Sequence, residues 1–213
     1  MNDQNAKAFR FLPRALNAVI SRFFDRVSVF FVRRHIHPNT LTYMGIVAGV
    51  AVGIAYFFER PVWALVLILI CGNLDILDGK VAANSNRKSL FGAILDSSFD
   101  RYSEFFMYLG IAYHFRGGWV VWVVFVAFLG STMVSYTRAR AEGLGIDCRV
   151  GIMQRAERLI LLFVGTFIGL VFRVYDPALT VVMGLIALGA NATAFQRLAY
   201  VRAWEKRKTG GRS

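Results

Sequence analysis

Six apolar stretches, residues 39–58, 61–82, 90–115, 119–141, 156–172 and 177–200, follow one another through this chain with only short connectors between them. Each comes close to the ~20 residues that a helix needs to cross a bilayer core. Backbone in hydrocarbon must satisfy its own hydrogen bonds, which a helix does within a single segment. The expected fold is therefore all-α and integral to the membrane, with six transmembrane helices. Hydrophobic residues make up 56% of the 213 positions, a share that leaves no stretch composed like a further water-soluble domain.

Ahead of the six stretches, residues 12–36 set Leu16, Val19, Ile20, Phe23, Phe24, Val27, Phe30 and Phe31 against Arg14, Arg22, Arg26, Arg33 and Arg34 at helical spacing. That pattern predicts an amphipathic helix lying in the headgroup plane, phenylalanines down and arginines among the phosphates. A signal peptide fits poorly, because the segment lacks an unbroken apolar run and a small-residue cleavage site. Residues 1–7 are polar and expected to be disordered. The whole chain, 1–213, reads as one membrane domain: an N-terminal tail and interfacial helix (1–36), a six-helix core (37–202) and a basic tail (203–213).

Charge sets the orientation. Lys and Arg number 25 against 13 Asp and Glu, a net +12 that calls for anionic partners. Nucleic acid is a poor candidate, since the cations interleave with long apolar runs and show no recognition-motif spacing. Arg60, Arg116 and Arg173 fall on one face. The N-terminal arginines, Lys80, Arg87, Lys88, Arg138, Arg140, Arg149, Arg155, Arg158 and the basic tail fall on the other. By the positive-inside rule, both termini lie on the cytoplasmic side of an inner, multi-pass cell membrane.

At that same cytoplasmic boundary sit four aspartates. Asp75 and Asp78 are spaced i, i+3, and Asp96 and Asp100 i, i+4, so on two helices each pair shares a face. Two helices offering two carboxylates apiece can hold one or two hard divalent cations and leave positions for phosphate oxygens. Taken singly, each Asp also suits a helix N-terminus or a solvated loop. Taken together, four uncompensated carboxylates in a low-dielectric setting would repel one another, which favours the cation site.

These residues carry a resemblance to the CDP-alcohol phosphotransferase family of integral membrane enzymes. Its pattern is Asp-x-x-Asp-Gly-x-x-Ala-Arg, about eight residues, then Gly-x-x-x-Asp-x-x-x-Asp. Asp75, Asp78, Gly79, Ala82, Gly92, Asp96 and Asp100 match it in order and spacing, seven positions over 26 residues. Ala83 stands where the family has an Arg of its nucleotide and diphosphate region; Lys80, Arg87 and Lys88 are the nearby cations that could replace it. Asn39 and Thr42 match the family's Pro-Asn-x-x-Thr element and are equally good helix caps.

A second group of residues resembles the phosphatidylinositol-phosphate synthase branch. There Ser-Tyr-x-Lys-Ala-Arg-Ala-Glu and a later Glu-Arg-x-x-Arg bind the phosphate of inositol phosphate. This chain matches with Arg138 at the Lys position, Arg140, Glu142, Arg155 and Arg158, with Gln154 replacing the first Glu; Gln196-Arg197 resembles a further element near the acceptor. Each arginine alone could simply snorkel at the interface. Flanking one connector beside the aspartates, they look more like a pocket for a second phosphate.

The resemblance implies metal-dependent transfer of a phosphatidyl group from CDP-diacylglycerol to the hydroxyl of a phosphorylated polyol, inositol phosphate favoured, with release of CMP. It implies two Mg²⁺ or Mn²⁺ ions on Asp75, Asp78, Asp96 and Asp100, with Asp100 also the general base. The donor would lie along Asn39, Thr42, Gly79, Ala82 and Gly92, and the acceptor phosphate on Arg138, Arg140, Arg155, Arg158 and Arg197. A homodimer is implied as well. Glycerol-3-phosphate is the alternative acceptor, which would make a phosphatidylglycerophosphate synthase. A cation-binding transporter would also place acids in spans, but near the midplane and beside broken helices rather than at one boundary.

The remaining features read as structure. Cys71 and Cys148 have neither ligand nor disulfide spacing, which points to free thiols in a reducing compartment. His35, His37 and His114 are expected at the interfaces, and Tyr56, Trp63, Trp119 and Trp122 in an external aromatic belt. Gly45, Gly49, Gly53, Gly165, Gly169, Gly184 and Gly189 are spaced for close helix contact.

Overall fold

The structure, a computed structural model, describes residues 14–210, the side chains from residue 18 to residue 209; the expectations for residues 1–13, including the start of the interfacial helix, lie outside it. The described residues form seven helices and no strand: α1 (Arg14–Arg33), α2 (Pro38–Phe57), α3 (Pro61–Asn84), α4 (Leu90–His114), α5 (Val120–Gly143), α6 (Arg155–Val171) and α7 (Tyr175–Gly210). Helices α2 and α3 open on Pro, whose missing N–H costs nothing in a first turn. Ser89 starts α4 by accepting a hydrogen bond from the Gly92 N–H at 2.9 Å. Left-handed residues close four helices: His35, Glu59, Asn86 and Arg173 all have φ between 53° and 56°. After each, the next N–H reaches back to the last turn, as from Arg60 to the Ala55 carbonyl at 2.8 Å.

α2, α3, α5 and α7 are long and apolar enough to cross a membrane. α6, at 17 residues, is shorter, and α4 carries Asp96, Asp100, Arg101 and Glu104 along its length. α7 runs well past residue 200: its 36 residues rise about 54 Å, so the helix continues through most of the basic tail.

α2 packs on α3 and α4, α5 and α6 on α7, and α1 and α6 on α3. The α2–α4 contact is backbone to backbone. A Cβ on Gly110 would stand 2.0 Å from the Gly53 carbonyl oxygen, and one on Gly53 would stand 2.1 Å from that of Phe106. Gly49, Gly165, Gly169 and Gly189 are likewise closely approached, whereas Gly184 faces open space and makes no such contact. One large core draws on all seven helices, and two smaller clusters gather around the C-terminal halves of α5 and α7.

Two details differ from the sequence reading. Tyr56 belongs to the core and not to the aromatic belt: it is wholly buried, with its hydroxyl 2.7 Å from Thr166 of α6. Trp63, Trp119 and Trp122 are exposed. In α1, Phe23 and Phe30 are exposed, but Phe24 and Phe31 pack against the bundle rather than facing lipid. Polar contacts bind this helix to α3. Lys80 Nζ lies 2.5 Å from Asp25 Oδ1 and 3.0 Å from Ser21 Oγ, and Asn84 donates to Ser28 at 2.6 Å.

Candidate active site

The last turns of α3 and the first turns of α4 face each other beneath the start of α2. Asp78 is buried, and its Oδ2 accepts a hydrogen bond from Thr42 Oγ1 of α2 at 3.0 Å. Asp96 lines both of the cavities described below, beside Asp100. Asp75 and Asp100 both contact Nη1 of Arg155, the first residue of α6. Carboxylates from two helices thus face one region of the bundle, Asp78 tied to α2 and Asp75 and Asp100 to α6.

The donor set is all carboxylate, the chemistry that Mg²⁺ and Mn²⁺ prefer, so the residues fit such ions. Among the described residues no three acids, histidines or cysteines are drawn together into a ready-made cage. The Arg155 guanidinium lies between Asp75 and Asp100 instead. On the far side of Asp100, Arg101 Nη2 stands 3.5 Å from Oδ2, and Arg101 also donates to Ser135 of α5.

Two cavities meet at this cluster. The larger, about 1020 Å³, is the more polar of the two and opens between α4, α5 and the start of α6; Asp96, Asp100, Arg101, Arg138 and Arg155 line it. The smaller, about 420 Å³, runs between α3 and α6 along Ile68, Leu69, Ile76, Leu159 and Phe163. Asp96, Asp100 and Arg155 border both. A molecule seated across them would rest an apolar part on α3 and α6 and a charged part among the arginines.

The sequence-predicted donor residues fall around α2, α3 and α4. A Cβ on Gly79 would meet nothing within 4 Å, so open space lies before it, and Ala82 is half-buried one turn on. Gly92 is tighter, for a Cβ there would come within 3.2 Å of Asn39 Oδ1 and 3.0 Å of Ser89 Oγ. Neither Asn39 nor Thr42 caps α2: His37 does, its Nδ1 accepting from the Asn39 N–H at 3.2 Å. Ala83 is exposed, and none of the three nearby cations lines either cavity. Lys80 is engaged by α1, while Arg87 and Lys88 face outward.

The five candidate phosphate arginines separate into three groups. Arg138 and Arg155 line the polar cavity, Arg138 held in place by Glu142 at 2.8 Å. Arg140 is exposed and lines neither cavity. Arg158 and Arg197 reach the cavity wall but differ from the expectation of open phosphate ligands, because both are buried and held by acceptors of the protein. Arg158 donates from Nε and Nη2 to Glu104 at 2.5 and 2.9 Å, and from Nη1 to the Met153 carbonyl at 3.2 Å. Arg197 donates from Nε to the Val150 carbonyl at 2.9 Å and from Nη1 to that of Val134. A buried guanidinium without partners would be costly, and these acceptors are the partners present.

Local structure fixes where α6 begins. Gln154 and Glu157 form a reciprocal capping box, Glu157 accepting from the Gln154 N–H at 3.1 Å. Thr193 Oγ1 of α7 accepts from the N–H groups of Ile152 and Met153 at 3.2 and 3.0 Å, pinning the connector. Gly151, at φ +126°, makes the bend, where a Cβ would come within 2.3 Å of Thr193 Cγ2. Sequence reasoning missed Arg101 and Glu104. Glu104 follows Asp100 at i+4, the same spacing that marked Asp96 and Asp100 as one face.

With this geometry in view, the family model described as CDP-alcohol phosphatidyltransferase matches residues 35–194. The chain belongs to this family. It is an enzyme, a phosphotransferase, and a membrane protein. Similar proteins include the archaetidylinositol phosphate synthase of Methanothermobacter thermautotrophicus, 36% identical over 89% of this chain and 93% of that protein. The phosphatidylinositol phosphate synthase of Streptomyces avermitilis is 33% identical over 88% of this chain and 82% of that one. Among solved structures, the Mycobacterium tuberculosis phosphatidylinositol phosphate synthase with CDP-DAG bound superposes with a TM-score of 0.75, at 28% identity, covering 84% of this chain and 92% of that one. The same enzyme in complex with manganese and citrate gives 0.74 at 27% identity, covering 83% and 87%.

Proposed function

We propose that this enzyme transfers the phosphatidyl group of CDP-diacylglycerol to the hydroxyl of a phosphorylated polyol, inositol phosphate first, and releases CMP. The observation that carries this reading is the meeting of an apolar and an arginine-lined cavity at Asp96 and Asp100, with Asp75 on the apolar side. The kinship with inositol phosphate synthases supports the acceptor.

Mg²⁺ or Mn²⁺ held by Asp75, Asp78, Asp96 and Asp100 supplies charge neutralisation for the diphosphate and the leaving CMP. Small residues at Gly79 and Ala82 leave room for the nucleotide, beside Asn39, Thr42 and Gly92. Asp100, at the border of both cavities, accepts the proton of the acceptor hydroxyl as the P–O bond forms, a contribution of about 10²–10⁴-fold. Arg138 and Arg155 grip the acceptor's own phosphate, while Arg158 and Arg197 stiffen the wall behind it. Arg140 has no part in this cavity.

The architecture proposed with it is one membrane domain of six spans, α2 to α7, with α1 at the interface, both termini cytoplasmic, and two copies per assembly. The cytoplasmic clustering of cations supports the orientation, and family resemblance supports the dimer. Cysteines placed singly at Arg116 and Ser213 should label from opposite sides; equal labelling from the cytoplasm would overturn the topology. Purified protein in lipid, offered inositol phosphate and glycerol-3-phosphate with CDP-diacylglycerol and Mg²⁺, should release CMP faster with inositol phosphate. Preference for glycerol-3-phosphate would reassign the acceptor.

A further inference from the structure

Arg155 holds two positions at once. Its Nη1 contacts Asp75 and Asp100, the ends of the carboxylate cluster, while its side chain also forms part of the wall of the polar cavity that receives Arg138. Its side chain is only 15% exposed, so this is an enclosed contact and not a solvent-screened surface pair. As the first residue of α6 it sits at the positive end of a helix dipole, a poor place for a cation unless acids compensate it. Asp75 and Asp100 provide that compensation.

Resting on the metal-dependent reading above, we propose that Arg155 is an internal counter-ion of the aspartate cluster that divalent cations displace, and that its release into the polar cavity completes the acceptor-phosphate site. The oxygens it uses, Asp75 Oδ2 and Asp100 Oδ1, are the ones a divalent ion needs. Guanidinium and metal therefore compete for them, and like-charge repulsion drives the loser outward. Outward from the cluster along its own side lies the 1020 Å³ cavity. There the freed guanidinium stands across from Arg138 of α5, beside the N-terminus of α6, where a phosphate is favoured. Without metal the phosphate site lacks one arm; with metal it is whole. Binding is thereby ordered, metal first and phosphorylated acceptor second, and the coupling is reciprocal: phosphate raises metal affinity by the factor by which metal raises phosphate affinity.

Mn²⁺ binding to the detergent-purified full chain, followed by the EPR signal of free Mn²⁺ with and without inorganic phosphate, tests this apart from turnover. Arg155→Gln and Arg155→Ala should bind Mn²⁺ about 10–100-fold more tightly than the parent, the equivalent of losing a charged competitor. Phosphate should tighten Mn²⁺ binding in the parent and leave both variants unmoved. Arg155→Lys, which keeps the charge with fewer donors, should fall between and carries the test if the neutral variants fail to fold. Unchanged or weaker Mn²⁺ binding in folded variants would overturn the counter-ion role and leave the metal site standing. No Mn²⁺ binding by the folded parent would overturn both.

Discussion

Arg158 of α6 lays Nε and Nη2 against the two carboxylate oxygens of Glu104 of α4, at 2.5 and 2.9 Å, with both side chains almost wholly out of solvent. This pair ties the helix that supplies Asp96 and Asp100 to the helix that supplies Arg155. Tyr108 adds its hydroxyl to the same carboxylate at 3.3 Å, and Ser131 of α5 stands 3.2 Å from that hydroxyl.

Removing one member should therefore hurt stability more than removing both. Arg158→Ala is expected to cost about 3–5 kcal/mol by stranding a buried charge. The double variant Arg158→Met with Glu104→Leu should recover much of that. Thermal unfolding in detergent, read from intrinsic fluorescence, measures it. A single Arg158→Ala as stable as the parent would contradict the buttress role.

Thr42 offers a subtler probe, because it touches Asp78 and no cavity-lining arginine. Thr42→Val keeps the shape and removes the hydrogen bond that orients the carboxylate. Outer partners of this kind typically matter about 10–100-fold in metal affinity. Mn²⁺ titration should show a loss in that range, with little change in the KM for acceptor. An unchanged Mn²⁺ affinity would mean that Asp78 needs no orienting partner.

For the chemistry itself, Asp100→Asn should abolish CMP release while largely sparing donor binding, and stripping divalent ions with a chelator should abolish it reversibly. Arg140→Ala, at an exposed residue that lines neither cavity, should leave the acceptor KM near the parent value. A many-fold rise in that KM would return Arg140 to the phosphate site.

Two glycines make a paired control on packing. Gly110→Ala drives a Cβ into the Gly53 backbone and should destabilise by at least about 1–3 kcal/mol, the range for overpacking. Gly184→Ala, with nothing within 4 Å of the new methyl, should be neutral or gain up to about 1 kcal/mol from helix propensity. Melting midpoints of the two variants should move in opposite directions or differ clearly in size.

Much of the site was readable because its signals are local. The aspartates share helix faces by spacing alone, and helix boundaries follow from Pro, capping residues and the limits of apolar runs, so most were placed to within about two residues. What escaped depends on distant partners. Nothing near Arg158 in sequence announces Glu104, 54 residues earlier, and nothing near Arg197 announces the carbonyls of Val134 and Val150. Those arginines looked free because only the folded bundle supplies their acceptors. Tyr56 misled for another reason. α2 is apolar all round, so periodicity could not say which face meets Thr166 and which meets lipid. Lys80 likewise looked available to replace the missing Arg at Ala83 until α1 engaged it.

The close seat of Gly53 against Gly110 limits how α2 and α4 can move past each other. Side-chain contacts can change rotamer and let helices slide, but a peptide resting on a peptide has no such slack. Thr42 lies eleven residues from Gly53 and Asp100 ten from Gly110, roughly 15–17 Å along their helices. Axial shear between α2 and α4 is thus blocked at one end of a long lever. When the two helices tilt, they do so as a unit, and Thr42 and Asp100 keep one relative height across the site.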